Sequence, residues 1–309
     1  MVEANPKGIE DMQRLFGEQQ ISQDRYQIFP RKIEDYKTDT KYDFIIAESF
    51  IQYLYNQQEV IEKLQSLVAE NGVIVITCSD DVCIFIEILK RLIAVTMTAG
   101  ISEYDRKVEY LARFFAPQLA KLRGVSRTAE DWVKDQILNP TLINGTELTM
   151  LQAMDYFMDG FDVLGCSPRM FTDYSWYKDI YYDYRKDFRE QFEQKRLSLL
   201  MANMPEIILP LEQAAIMVKS FETIKTIASE YEKTLDTQKF GDILKELEKI
   251  EELVNKNFDK NFVSAFNEIK AIIRSIMQGK TMEDINIEEY PNFFSAFGRT
   301  QQYISFVKR

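Results

Sequence analysis

The sequence predicts an α/β fold built on a parallel sheet and enlarged by long helical insertions. Three observations carry this. Short apolar runs alternate with helix-spaced stretches through the first 78 residues. Helical spacing then dominates from Asp80 to Phe157 and from Leu211 to Gln278. The chain closes on QYISFVK (Gln302–Lys308), which alternates as a strand does.

Met1 to Glu3 reads as the tail of a strand. Pro6 to Phe16 suits a helix, with Asn5 as N-cap and Pro6 at the first helical position, where its missing N–H costs nothing. Tyr26 to Phe29 is a short strand that Pro30 ends, and YDFIIA (Tyr42 to Ala47) is a stronger one. Val60, Ile61, Leu64, Leu67 and Val68 recur at helical spacing, and Asn71-Gly72 is expected to stop that helix because both tolerate positive φ. VIVIT (Val73 to Thr77) is the continuous β-branched run of a strand buried on both faces. Strand, helix, strand in this order implies parallel pairing.

Further on, helices are expected over Val82 to Met97, Glu103 to Leu122, Thr128 to Leu138 with Ser126 or Thr128 as cap, and Leu148 to Phe157. FDVLGC (Phe161 to Cys166) reads as a strand after Gly160. Leu211 to Leu235 and Phe240 to Gln278 read as an antiparallel helical hairpin, the second arm broken near Asn255 to Asn261. Its apolar stripe takes Ile216, Phe221, Ile224, Ile227, Ala228 and Tyr231 on one arm, and Ile243, Leu244, Leu247, Ile250 and Val254 on the other. The organisation predicted is an α/β core over 1–79, a helical insertion over 80–160, returning core strands at 161–168 and 290–309, and an aromatic lid with the hairpin over 169–289.

The net charge of −11, with no basic block, argues against nucleic acid. Cys78, Cys83 and Cys166 form neither a disulfide framework nor a zinc pattern, and read as buried thiols. No secretory signal and no apolar run of membrane length is present, so a cytoplasmic protein is expected. Histidine is absent, which removes Ser–His and Cys–His pairs, an imidazole base and His metal ligands; no metal site is expected.

The segment from Val2 to Thr77 resembles the class I S-adenosylmethionine-dependent methyltransferases. VEANP places Glu3 where the family has an acidic residue for the ribose hydroxyls, with Ala4 beside the adenine. In RKIEDY, Ile33 falls where a backbone amide meets the adenine ring. Lys32 stands where an Asp usually contacts the adenine amino group, and Glu34 or Asp35 is next in line. YDFIIAESFIQYL looks like the family's fourth strand and loop, with Ala47, Glu48 and Ser49 at the cofactor edge. VIEKLQSLVAENGVIVIT is similar to its following helix and fifth strand, FDVLGCSP to its sixth strand and QYISFVK to its antiparallel seventh. Together these cover about 110 residues.

The resemblance implies a Rossmann-like methyltransferase sheet lacking its first strand, and methyl transfer from S-adenosylmethionine to an acceptor left open. The family's glycine-rich turn should lie about twenty residues ahead of the acidic residue. Glu3 has two residues before it, and no GxGxG occurs elsewhere. The expectation is a piece of a longer protein, or a degenerate domain, that binds the cofactor weakly or not at all. The alternative is a non-catalytic module that binds a partner protein through the helical hairpin.

Three further stretches have two readings each. Ser167 to Phe188 is a substrate-facing aromatic lid (Tyr174, Trp176, Tyr177 and Tyr181, with Arg169 and Lys178) or packing of inserted helices on the sheet edge. Asp80 and Asp81 are substrate-side carboxylates at the end of VIVIT or an N-cap of the next helix. GRTQQY (Gly298 to Tyr303) is read as a hairpin turn rather than a phosphate loop. No catalytic base stands out.

Overall fold

The computed structural model describes residues 1–121, 127–140, 143, 148–174, 176, 178, 184–280 and 284–309. The chain is α/β with a mixed sheet. β1 (Val2–Glu3) pairs in parallel with β2 (Phe29–Pro30). Between them runs α1 (Pro6–Glu18), whose first free amide, that of Lys7, is capped by the Asn5 side chain. The short strand starts at Phe29 rather than Tyr26. Its partner β1 is two residues long, so only two positions find a ladder, and the Tyr26 ring packs on Phe16 at 4.6 Å.

The main sheet has the order β3 (Tyr42–Ala47), β4 (Val68–Cys78), β6 (Gln302–Lys308), β5 (Phe161–Ser167). β3 is parallel to β4, and β6 is antiparallel to both of its neighbours. As expected, the last strand joins the same sheet antiparallel to its neighbours; it lies beside VIVIT, with Val73 opposite Val307 and Ile76 opposite Ile304. Phe306 stacks on Phe157 at 4.0 Å and seals that face.

One local expectation is corrected. α2 (Gln57–Leu67) stops before Asn71-Gly72, and β4 begins at Val68. The register jumps from Tyr42–Val68 to Phe44–Val73, so Asn71 (φ 61°) and Gly72 serve an irregularity inside β4, not a helix cap. A Cβ on Gly72 would lie 2.7 Å from Val68 Cγ2 and 3.0 Å from the Tyr42 carbonyl oxygen.

After a 3-10 turn (Asp81–Ile84), α3 (Phe85–Met97) is buried almost all round, with ten of its thirteen residues covered. α4 (Tyr104–Leu119) follows. α5 (Ala129–Trp132), capped by Thr128, runs into a π-helical turn, Val133–Ile137. α6 (Met150–Tyr156) starts with a Thr149–Gln152 capping box and leads to β5. α7 (Arg185–Lys195), α8 (Leu211–Thr234), α9 (Lys239–Asn257) and α10 (Lys260–Met277) complete the helical part.

The expected hairpin is therefore three helices. The second arm breaks where Phe258 turns extended and Asp259 caps the Phe262 amide. Phe221, Ile224, Leu247 and Val254 face inward as expected, whereas Ile216 is exposed. Glu251 and Glu248 reach across to α10, to Lys270 at 2.6 Å and Arg274 at 2.8 Å, rather than pairing only along their own helix.

α11 (Pro291–Phe294) precedes β6. Gly298 and Arg299 form no hairpin: their amides donate to Glu87 Oε1 (2.9 Å) and to the Leu199 carbonyl (3.0 Å). β6 enters between two strands that are both far away in sequence, so no adjacent strand exists for a hairpin. Among the described residues no helix is long and apolar enough to cross a membrane.

Candidate functional site

A groove of about 520 Å³ lies between the β1–β2 pair and β3. That is within the usual range for small-ligand sites. Val2, Ile33, Phe44, Ile46 and Ala47 are among its lining residues. Tyr36 and Tyr42 share a 2.5 Å hydrogen bond between their hydroxyls in its wall, which raises the Tyr42 pKa. The structure thus brings Ile33 and Ala47 to one groove, with β1 opposite.

The carboxylates stand near the C-terminal ends of these strands. Glu3 Oε1 accepts from the Asn5 amide at 2.6 Å, so it sits at the start of α1, and Ala4 beside it is exposed. Glu34 accepts from Asn56 Nδ2 at 3.3 Å. Glu48 accepts from the Tyr303 hydroxyl at 2.7 Å and from Gln301 Nε2 at 3.3 Å. The bond to Glu48 raises the Tyr303 pKa, because the phenolate would face a carboxylate. Ser49 holds φ 59°; its amide donates to Thr77 Oγ1 (2.7 Å) and its hydroxyl accepts from Gln301 (3.1 Å). Gln301 and Tyr303 were not singled out as site residues, and their signal was only the turn-like GRTQQY. Such an exposed carboxylate, phenol and carboxamide cluster can bind polar groups by hydrogen bonds.

Asp80 is placed differently. It is fully buried, accepts from Arg196 Nε at 2.8 and 3.0 Å, and caps the Val82 amide at 2.9 Å. Its own amide takes a bond to Gln302 Oε1 at 3.1 Å. All of these bonds are to protein groups, the N-cap among them. Tyr174 and Trp176 lie on the segment that follows β5, the strand at the opposite edge of the sheet from β3. Both are exposed, and Lys178 Nζ lies 5.1 Å from the Trp176 ring centre. Tyr177 and Tyr181 lie outside the described residues. Phe171 and Phe188, from the same stretch, are buried and stacked at 4.5 Å.

A second buried pair escaped sequence reasoning because it sits on a helix with apolar neighbours. Lys90 is fully buried, 3.6 Å from the Phe297 ring centre, and donates to the Ala296 carbonyl. Burial pushes its pKa down to about 7, while Glu87 acts in the opposite sense. Burial raises the Glu87 pKa, and its Oε2 has no hydrogen-bond partner. Burial also raises the thiols of Cys78 and Cys83, with the Asp80 charge adding to it. All three cysteines are free.

No protein-family model matches the sequence, and comparison with curated proteins finds no match.

Proposed function

We propose that the protein belongs to the S-adenosylmethionine-dependent methyl-transfer class and that residues 1–309 carry the nucleoside half of its cofactor site. One observation supports this above others. The β1–β2 pair and β3 line one groove, β3 pairs with β4, and β6 and β5 lie beyond. The arrangement suits a doubly wound sheet of order 3-2-1-4-5 with position 1 open. It departs from that sheet at the open position and at the antiparallel β6 set between β4 and β5.

The residues present suit the nucleoside half. Glu3 would hold the ribose hydroxyls and the Ile33 backbone the adenine edge, with Ala4 and Glu34 beside them. Glu48 and Ser49 would form the rim towards the acceptor, where the Tyr303 hydroxyl and Gln301 orient the Glu48 carboxylate. When bound, the cofactor supplies a methyl group already activated on a sulfonium. The protein's part is to align the acceptor and exclude water, so no dedicated histidine base is needed. Backbone donors for the methionine carboxylate and amine are missing without a glycine turn. Two lost hydrogen bonds to charged groups, at roughly 1.5–3 kcal/mol each, weaken binding about a hundredfold or more.

Isothermal titration tests this. S-adenosylmethionine should bind the chain as described weakly or not at all. Fusing a segment of about 30 to 60 residues that ends a strand in GxGxG should restore binding, and Glu3→Ala should remove it again. Micromolar affinity in the unextended chain overturns the placement of the site. No binding in the fused chain overturns the proposal.

A further inference from the structure

We propose that Glu48, Ser49, Gln301 and Tyr303 form a binding site for a primary ammonium group, the charged end of an alkylamine ligand.

The hydrogen-bond inventory of the cluster carries this. The Tyr303 hydroxyl has one proton and gives it to Glu48 Oε1 at 2.7 Å. The two protons on Gln301 Nε2 face three acceptors: the Tyr303 hydroxyl oxygen at 2.8 Å, Ser49 Oγ at 3.1 Å and Glu48 Oε1 at 3.3 Å. The Ser49 amide donates to Thr77 Oγ1 at 2.7 Å. Only the Ser49 hydroxyl proton is left over as a donor. Acceptor capacity, by contrast, stays open. Neither Glu48 Oε2 nor Gln301 Oε1 takes a hydrogen bond from a described residue, and Glu48 forms no ion pair among the described residues. The cluster offers acceptor oxygens and one negative charge, so its complement is a cation that donates.

The kind of cation follows from the same inventory. An anion would meet the Glu48 charge, and the cluster holds no Lys or Arg to offset it. A hard divalent ion needs about six oxygen ligands, carboxylates prominent among them. The cluster has one carboxylate, and among the described residues no group of three or more acidic or thiol side chains is placed to hold a metal. A guanidinium binds best fork to fork across both oxygens of a carboxylate, and Oε1 is already taken by Tyr303 and Gln301. An ammonium is compact and carries three donors, which suit Glu48 Oε2, Gln301 Oε1 and Ser49 Oγ.

The site is held in place and is open to ligands. Glu48 and Ser49 follow β3 directly, and Tyr303 on β6 stands opposite Thr77 near the end of β4. This is the carboxyl end of the parallel pair, the side on which open α/β sheets bind ligands. Thr77 and Gln52 are buried, and Thr77 Oγ1 donates to Gln52 Oε1 at 3.1 Å. Thr77 in turn anchors Ser49 at φ 59°, a conformation uncommon outside glycine. Glu48, Ser49 and Gln301 are exposed, so a ligand reaches them without any opening of the fold. The net charge of −11 favours the approach of cations. Reading the amine as the methyl acceptor rests on the methyl-transfer proposal; the binding itself does not.

The test uses the full chain near pH 7, where an alkylamine carries its proton, with n-butylammonium as the probe. The side-chain amide signal of Gln301 is followed by nitrogen–proton correlation spectroscopy. n-Butylammonium should shift it saturably, with a Kd of about 1–10 mM. Butyltrimethylammonium keeps the charge but has no N–H, and should bind about tenfold or more weakly. n-Butyrate should not bind. Glu48→Gln keeps the size of the side chain, removes the charge, and should weaken n-butylammonium about tenfold. No saturable shift up to about 100 mM overturns the proposal. So does butyltrimethylammonium binding as tightly as n-butylammonium, or an unchanged affinity in Glu48→Gln. n-Butylammonium binding, with no S-adenosylmethionine binding to the fused chain, keeps this site and overturns methyl transfer. S-adenosylmethionine binding to the fused chain, with no n-butylammonium binding, does the reverse.

Discussion

Replacing Asp80 by alanine removes two things at once. The first is the cap on the Val82 amide, a 2.9 Å bond worth about 1 kcal/mol. The second is the carboxylate that faces Arg196 at 2.8 and 3.0 Å. The Arg196 side chain is 12% exposed; Glu193 stands 3.7 Å away, and the Asp81 charge also acts on it. Breaking a buried ion pair from one side costs about 3–5 kcal/mol, and the residual Glu193 contact favours the low end. The sum is about 4 kcal/mol, roughly a thousandfold in the unfolding constant. Asp80→Asn keeps the cap acceptor and should lose about 3 kcal/mol, nearly all of it from the charge. Urea unfolding, followed by far-ultraviolet circular dichroism and by tryptophan fluorescence, measures both. The midpoint should fall with an unchanged slope. In a cycle with Arg196→Met, the double variant should lose less than the sum of the single losses. A loss below about 1 kcal/mol for Asp80→Ala, or strict additivity in the cycle, refutes the reasoning.

Two further outcomes are expected. Lys90 titrates near 7 in the folded protein, against 10.5 in an open chain. Between those values the unfolded chain holds a proton that the folded chain does not, so Lys90 makes stability rise as pH climbs through that window. Lys90→Met should flatten the rise, read from thermal unfolding between pH 7 and 10, and an unchanged slope in the variant contradicts the assignment. Gly298→Ala should destabilise by about 2 kcal/mol through overpacking. Its Cβ would overlap the Cys83 carbonyl oxygen and come 2.9 Å from Glu87 Oε2. Scanning calorimetry should register a lower Tm, and wild-type stability would show that the segment shifts freely.

Much of the fold is legible residue by residue. VIVIT and YDFIIA declare strands because β-branched and aromatic side chains fit a pleated, buried surface. Asn5-Pro6 and Thr128 declare helix starts because capping is settled within a few residues. QYISFVK declares a strand by its alternation, and Phe221, Ile224, Leu247 and Val254 declare an inward stripe by their spacing. Of the candidate site, Ile33 and Ala47 came to one groove, while Glu3, Glu34 and Glu48 stand near the C-terminal ends of its strands.

What remained belongs to partners distant in sequence. Asn71-Gly72 carries the composition of a helix stop. Only the approach of Val68 and the Tyr42 carbonyl makes it an irregularity in a strand. Asp80 looks like a cap, and it is one. Its role is set as much by Arg196, 116 residues away, and Glu48 finds Tyr303 across 255 residues. Helix and strand preferences come from backbone sterics and side-chain periodicity, which act over a few residues and are written in order along the chain. The place of β6 between β4 and β5, the pairing of buried charges and the groove beside β3 depend on which surfaces meet after long loops close. Neighbouring residues do not encode that choice; packing of the whole chain makes it.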